Sequence, residues 1–301
     1  LASKILISGG SGLIGSYLSA KLKEKGFEVS ILSSSKHQAS GDTVYYWNIE
    51  QKEIDRQAVE EADYIIHLAG ANIGDKRWTK KRKQLIRDSR IKSAQLLFEK
   101  VKNKQKPLKA FISASAVGYY GAITSETIYK ESDPAAEDFL GETCRLWEQS
   151  ADQFHELGVR VVKIRTGLVL SKQGGALSKM EIPIKMRIGS ALGNGKQYMP
   201  WIHLEDLCNI YLKAIEDHDM QGAYNAVTPD NITNKEFIHA LAQHLKKPLW
   251  LPDIPGFILK FLLGEMSDLV LKGSRVSAEK ITNKNFTFKF PGLESALNDL
   301  I

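Results

Sequence analysis

At 301 residues, 43% hydrophobic and 25% charged, the chain can bury one good core with a smaller appendage, and its composition excludes a disordered or low-complexity protein. The formal net charge is +6, yet much of the excess sits in one segment, Lys76-Arg77-Trp78-Thr79-Lys80-Lys81-Arg82-Lys83, with no RNA or DNA motif beside it, so nucleic acid is disfavoured as a partner. No apolar run is long enough to cross a bilayer or to serve as a leader, which points to a cytoplasmic setting without a membrane.

The first predicted element is a strand, Ile5-Leu6-Ile7, which breaks into Ser8-Gly9-Gly10-Ser11-Gly12-Leu13-Ile14-Gly15 and continues as a helix from about Ser16 to Lys25. A strand, a glycine turn and a helix start make a cradle for a dinucleotide. Gly9, Gly12 and Gly15 answer three needs: a tight turn, close approach of backbone to a pyrophosphate, and packing of helix on strand. Leu13 and Ile14 open the helix, whose free N–H groups and positive dipole end face the phosphates.

A second strand, Glu28 to Leu32, ends in Ser33-Ser34-Ser35-Lys36. An acid at this place would accept the ribose hydroxyls of NAD, whereas hydroxyls and an ammonium suit the 2′-phosphate of NADP; Ser33, Ser34 and Lys36 therefore favour NADP(H). After a Gly41-Asp42 turn come a strand at Val44 to Trp47, a helix from Asp55 to Glu61 and a strand at Tyr64 to Leu68. A long helix follows, with Ala94, Leu97, Phe98 and Val101 at helical spacing, then a strand at Ala110 to Ser113. An amphipathic helix over Gly141 to Leu157 leads to the strand Arg160 to Ile164, which ends at Thr166-Gly167. This alternation predicts a Rossmann-type, doubly wound parallel α/β sheet with cofactor and substrate at the carboxyl ends of its strands.

From Ser171 the alternation lapses, and glycines with Pro183 and Pro200 read as loops. Met199-Pro200-Trp201 suits a segment that closes over ligand, and His203 suits a helix start before Leu204-Glu205-Asp206. Helices are expected at Asn234 to Leu245 and Phe257 to Leu263, a half-buried strand at Phe286 to Phe290, and a last helix after Pro291-Gly292. The domain reading is a dinucleotide-binding part over 1–170, rejoined by 201–228, and a smaller, mixed substrate or lid domain over 171–200 and 229–301. His67, in a buried-type strand, reads as a satisfied core residue. Cys144 and Cys208 read as buried thiols of a reducing compartment, and no His, Cys or carboxylate cluster has metal-ligand spacing.

The glycine loop, His67-Leu68-Ala69-Gly70, Ser113-Ala114-Ser115-Ala116-Val117-Gly118-Tyr119-Tyr120-Gly121 and Trp201-Ile202-His203-Leu204-Glu205-Asp206 together resemble the extended short-chain dehydrogenase/reductases. Arg77-Trp78-Thr79, Arg87-Asp88-Ser89-Arg90, Arg165-Thr166-Gly167, Gly174-Gly175-Ala176-Leu177 and Gly264-Glu265-Met266 narrow the likeness. They resemble an atypical branch, the sugar-nucleotide-epimerase-like proteins of the NAD-dependent epimerase/dehydratase superfamily, which end in a domain of unknown function. The resemblance covers nearly the whole chain. It implies NADP(H) held by the glycine loop, by Leu68, Ala69 and Gly70 and by Thr166 and Gly167, with a small-molecule pocket toward the carboxyl-terminal part; it also allows a homodimer.

Redox-active members of the wider family use a serine and a Tyr-x-x-x-Lys pair, in which the lysine lets the phenol move a proton while the nicotinamide moves a hydride. Here Leu140 stands where the tyrosine belongs and Cys144 where the lysine belongs. Ser115 matches the catalytic serine, and Tyr119 or Tyr120, just past the same strand, is the substitute proton donor. Arg90 falls where the wider family has a helix asparagine, and Arg87 is a second candidate anion ligand. Two readings stay open: an NADP-dependent oxidoreductase or epimerase acting on a small polar substrate such as a nucleotide sugar, and a non-catalytic NADP(H) sensor.

Overall fold

The computed structural model describes residues 2–35 and 43–301. Its first strand, β1 (Lys4–Ser8), is apolar on both faces because both faces are covered. Ile5 and Ile7 pack with Leu18 and Leu22 of α1 (Leu13–Glu24), whereas Leu6 packs with Leu97 and Phe111 on the opposite side. The chain continues through β2 (Glu28–Ser33), β3 (Thr43–Asn48), β4 (Glu53–Ile54), α2 (Arg56–Glu61), β5 (Tyr64–His67), α3 (Lys80–Val101) and β6 (Ala110–Ala116). It then forms β7 (Ile128–Tyr129), α4 (Phe139–Asp152), β8 (Arg160–Thr166), β9 (Leu168–Leu170), α5 (Ala176–Lys185), β10 (Trp201–His203), α6 (Leu204–Glu216) and β11 (Gly222–Ala226). The remaining elements are α7 (Asn234–His244), α8 (Gly256–Leu263), α9 (Asp268–Leu271), β12 (Arg275–Val276), α10 (Glu279–Thr282) and α11 (Leu293–Leu300).

Among the described residues the main sheet has eight strands in the order β11-β8-β6-β5-β1-β2-β3-β4. Its pairings are parallel except for the terminal β3–β4 pair. This is the expected doubly wound α/β architecture. The order reverses between β1 and β5, so their carboxyl ends open a crevice. α1 and α6 bury one face of the sheet, and α2 and α3 the other. A third core joins Leu177 of α5, Trp201, Phe237 and Leu241 of α7, and Leu297 of α11. Val276, Ile281 and Phe286 instead pack into the core beside α1 and α6.

Three local expectations need correction. The stretch read as loop contains α5, with Pro183 inside it; lying near the carboxyl end, the proline still allows the Met186 N–H to reach the Ile182 carbonyl at 3.1 Å. Phe286 to Phe290 forms no strand, although Phe286 and Phe290 are buried as its alternation foretold. The N–H groups of Lys289 and Phe290 donate to the two oxygens of the buried Asp206 carboxylate at 2.8 and 2.9 Å, which satisfies this backbone without a neighbouring strand. Trp201 closes over nothing: it lies fully buried in β10, paired with β9. His203 does start a helix, its Nδ1 accepting the Glu205 N–H at 3.1 Å.

Candidate functional site at the strand switch point

The glycine turn follows β1 directly. Gly9 has φ +76°, and a Cβ there would stand 2.9 Å from the Ala69 nitrogen, so the turn lies flush against the segment leaving β5. A Cβ on Gly15 would meet the Gly9 carbonyl oxygen at 2.4 Å and the Gly10 Cα at 2.6 Å; this glycine seats the helix on the turn rather than on the strand. Contact with the sheet belongs to Gly10, whose added Cβ would overlap the Ile31 side chain at 1.7 Å, a role the sequence pattern does not reveal. Gly12 has space, with only the Gly9 oxygen at 3.4 Å. It caps α1 without a side-chain bond, no acid occupies the first turn, and the N–H groups of Leu13, Ile14 and Gly15 have no backbone acceptor among the described residues. An open, positive helix end of this kind suits a phosphate.

His67 pins the crevice from below. Its Nδ1 lies 2.6 Å from the Ser8 hydroxyl and its Nε2 3.1 Å from the Ser93 hydroxyl. Ser93 gives its own proton to the Ser89 or Arg90 carbonyl, so the network assigns Nε2–H as the donor and Nδ1 as the acceptor from Ser8. Burial, with the Arg90 guanidinium adding repulsion, pulls the imidazole down to about 4. The folded state therefore refuses a proton that the unfolded chain takes up near pH 6.5. Stability tied to neutral His67 is complete above that pH and lost as pH falls toward 4, by about 2–3 kcal/mol at pH 4.5. Urea titrations at pH 7 and 4.5 should show this loss in the native protein and a smaller one in His67→Asn; equal losses would count against it.

Beyond the ends of β1, β2 and β5 lies a cavity of about 660 Å³. Gly9, Ser33, Ser34, Ala69 and Gly70 line it together, so five of the expected cofactor residues share one wall system. Tyr46 and Asn48 of β3 and Lys81 of α3 also line it and were not anticipated. Lys81 belonged to the basic segment, whose direction a sequence does not tell. Lys36 lies outside the described residues.

At the ends of β6 and β8 the structure builds a buried polar network. Glu148 of α4 receives Arg165 of β8 through two bonds, Nε to Oε1 at 2.8 Å and Nη2 to Oε2 at 3.0 Å. The Ser115 hydroxyl donates to the same carboxylate at 2.7 Å. Arg165 Nη1 donates to the Tyr120 hydroxyl at 2.9 Å, and that hydroxyl donates to Asn225 Oδ1 at 2.7 Å. Burial opposes the charge on Arg165, but its bonds to Glu148 outweigh this and hold its pKa above the ordinary value. Burial also pushes the Tyr120 phenol up to about 12, although Arg165 works against it. Tyr119 differs: half-buried, it lays its ring against the guanidinium, 3.4 Å from centroid to Cζ, and its hydroxyl has no bond among the described residues.

The profile of the NAD dependent epimerase/dehydratase family matches residues 5–227. The chain belongs to that family. A domain of unknown function matches residues 254–300. An epimerase family protein of Staphylococcus aureus (strain MRSA252) is 35% identical over 298 residues, 98% of each chain. The human epimerase family protein SDR39U1, in a crystal structure with NADPH, shares 28% identity with a TM-score of 0.86, covering 99% of this chain and 98% of that one. A nucleoside-diphosphate sugar epimerase from Corynebacterium glutamicum shares 29% identity with a TM-score of 0.80, covering 99% of this chain and 57% of that one.

Within this epimerase-family frame the remaining expected residues sit as follows. Arg90 is turned inward: its guanidinium donates to the carbonyls of Ala71 and Ile86 at 3.1 and 2.9 Å and lies over Trp147. A Cβ on Gly70 would approach its Cζ to 3.1 Å, so Arg90 packs against the turn at Gly70. Leu68 joins the turn to β1 through its N–H and the Ser8 carbonyl, 2.9 Å apart. Gly167 is wedged under the Pro200 carbonyl, 2.5 Å from where a Cβ would sit, beside Thr166, whose hydroxyl donates to the Ile164 carbonyl at 3.3 Å. Gly167 thus marks where the Pro200 segment crosses the end of β8. Tyr120 is buried and bonded to Asn225 and Arg165, whereas the Tyr119 hydroxyl has no bond among the described residues. Arg87 is taken by Glu142 at 2.9 Å. Leu140 and Cys144 lie buried in α4, and burial pushes the thiol up to about 12.

Proposed function

We propose that this family member is an NADP(H)-binding, epimerase-like oxidoreductase for a small polar substrate, with nucleotide sugars the class suggested by its named relatives, and that it works without a Tyr-x-x-x-Lys pair. The carrying observation is the cradle itself: Gly9 and Gly15 leave no room for side chains, and the open N-terminus of α1 adjoins a cavity bearing Ser33 and Ser34 and no acid at the end of β2. A dinucleotide fits this arrangement through backbone N–H groups at Leu13, Ile14 and Gly15 for the pyrophosphate, and through the two serines for the adenosine end. When bound, the nicotinamide would supply hydride transfer. The chain's own part is to exclude water and handle one proton. Tyr119 is assigned that proton, because the Ser115 hydroxyl is already given to Glu148 and Tyr120 is locked to Asn225. The substrate would meet it between the part formed by 1–170 with 201–228 and the part formed by 171–200 with 229–301.

Fluorescence titration should show NADPH binding more tightly than NADH, and the reverse order would overturn the cofactor assignment. A screen of carbonyl and sugar-nucleotide compounds, with product analysis for epimerisation that leaves no net oxidation, then tests turnover. Tyr119→Phe should lower any turnover found by about 10²-fold or more, the scale of a lost general acid, while NADPH affinity holds. Turnover untouched by that change removes Tyr119 from the chemistry. A second reading, a dinucleotide sensor without catalysis, is favoured by the same commitment of Ser115 to Glu148, and it predicts tight NADPH binding with no product from any compound.

A further inference from the structure

The first turn of α3 carries Lys80, Lys81, Arg82 and Lys83 and no acid. Cations at the positive end of a helix dipole are unfavourable, so four together need a reason. Two have partners: Lys83 pairs with Glu265, and Arg82 donates to the Asn72 carbonyl. Lys80 and Lys81 form no ion pair or hydrogen bond among the described residues, and of these two only Lys81 lines the 660 Å³ cavity. Across that cavity stand Ser33 and Ser34, at the end of β2.

Two acids share the wall, and Asp88 is turned to other partners. Asp88 accepts Gln84 Nε2 at 2.6 Å and pairs with Lys92 at 2.8 Å. The field of Glu50 also falls on Lys92, whose pKa stands raised, first by the Asp88 hydrogen bond and to a smaller degree by Glu50. Lys81 thus has no ion-pair partner among the described residues and shares the wall of one open cavity with the serines of β2 and its end. A phosphate between them would take a point charge from one side and hydroxyl bonds from the other.

We propose that Lys81 is the α3 side of the 2′-phosphate site and a residue that sets preference for NADP(H) over NAD(H). This inference rests on the dinucleotide reading above and adds a ligand contributed from a helix on the far side of the crevice from β2. It also accounts for the basic first turn: the cavity mouth of α3 is built for an anion that the protein itself does not supply.

The test is calorimetric titration of the full chain with NADPH, NADH and adenosine 2′,5′-bisphosphate, comparing Lys81→Ala, Lys81→Arg and the neighbouring Lys80→Ala. Lys81→Ala should weaken NADPH and the bisphosphate about tenfold and NADH less than about twofold, the size expected of one charge-assisted contact. Lys81→Arg should keep most of the affinity and Lys80→Ala nearly all of it. A native protein that prefers NADPH, with Lys81→Ala leaving that preference unchanged, overturns the role of Lys81 alone. Equal losses in Lys80→Ala and Lys81→Ala also overturn it, since a diffuse field would then suffice. A native protein with no preference for NADPH removes the dinucleotide assignment on which the proposal stands. Lys81 is exposed, so unchanged melting temperatures should accompany every variant.

Discussion

Arg165→Met is expected to destabilise the protein by about 3–5 kcal/mol, the cost of leaving a buried carboxylate without its partner. Glu148 is 5% exposed and would lose both guanidinium bonds, keeping the Ser115 hydroxyl and the Lys163 ammonium at 3.8 Å. Tyr120 would lose a donor and Tyr119 the plane on which its ring rests. Lys163 moderates the loss, which places the expected value toward the lower end of the range. The paired change Glu148→Leu with Arg165→Met should recover part of the stability, because removing both charges also removes the burial penalty of the survivor. Urea denaturation of the two single variants and the double variant measures this directly. A double variant as unstable as the sum of the singles would mean that the two groups act independently, against the bidentate geometry.

Gly15→Ala is expected to be the most damaging small change to ligand binding. Its Cβ would press on the Gly9 carbonyl and the Gly10 Cα, which are backbone atoms that move only if the turn moves. Overpacking of this kind costs about 1–3 kcal/mol of stability. NADPH affinity should fall by more than about tenfold, or about 1.4 kcal/mol, because the displaced turn leads into the α1 N–H groups proposed for the pyrophosphate. Gly12→Ala separates the two effects. Its Cβ has room in the protein alone, so folding stability should change little, yet it faces the path expected of the pyrophosphate and should still weaken NADPH. Melting temperatures and titrations on both variants decide the matter. Unimpaired NADPH binding in Gly12→Ala would shift the phosphate path away from this turn.

Elements with regular burial were easy to read. β1 and β5 are covered on both sides and so carry unbroken apolar runs, β2 and β8 keep buried apolar residues around Ser30 and Lys163, and the helix faces of α3, α6 and α7 repeat at helical spacing. Reading failed where a distant group replaced the usual partner. The alternation of Phe286 to Phe290 is real in burial, but Asp206, 83 and 84 residues away, takes the hydrogen bonds a strand would have needed. In α5, Pro183 and the glycines around it resemble a loop, and Leu177 and Ile184 reveal a helix only once the third core is there to receive them.

The site divides along the same line. Local chain chemistry alone determined the glycine turn, the absence of an acid at Ser33-Ser34 and the helix start at His203. Each of these follows from residues within a few positions of one another, and so from backbone geometry that short-range spacing encodes. Only the tertiary structure decided which of two adjacent tyrosines keeps a free hydroxyl, that Arg90 faces inward, that Lys81 turns to the cavity, and that Ser115, Glu148, Arg165 and Asn225 form one network. The bonds of that network join residues 17, 33, 45 and 105 positions apart, and such partnerships exist only after a twisted parallel sheet has brought the ends of β6, β8 and β11 side by side.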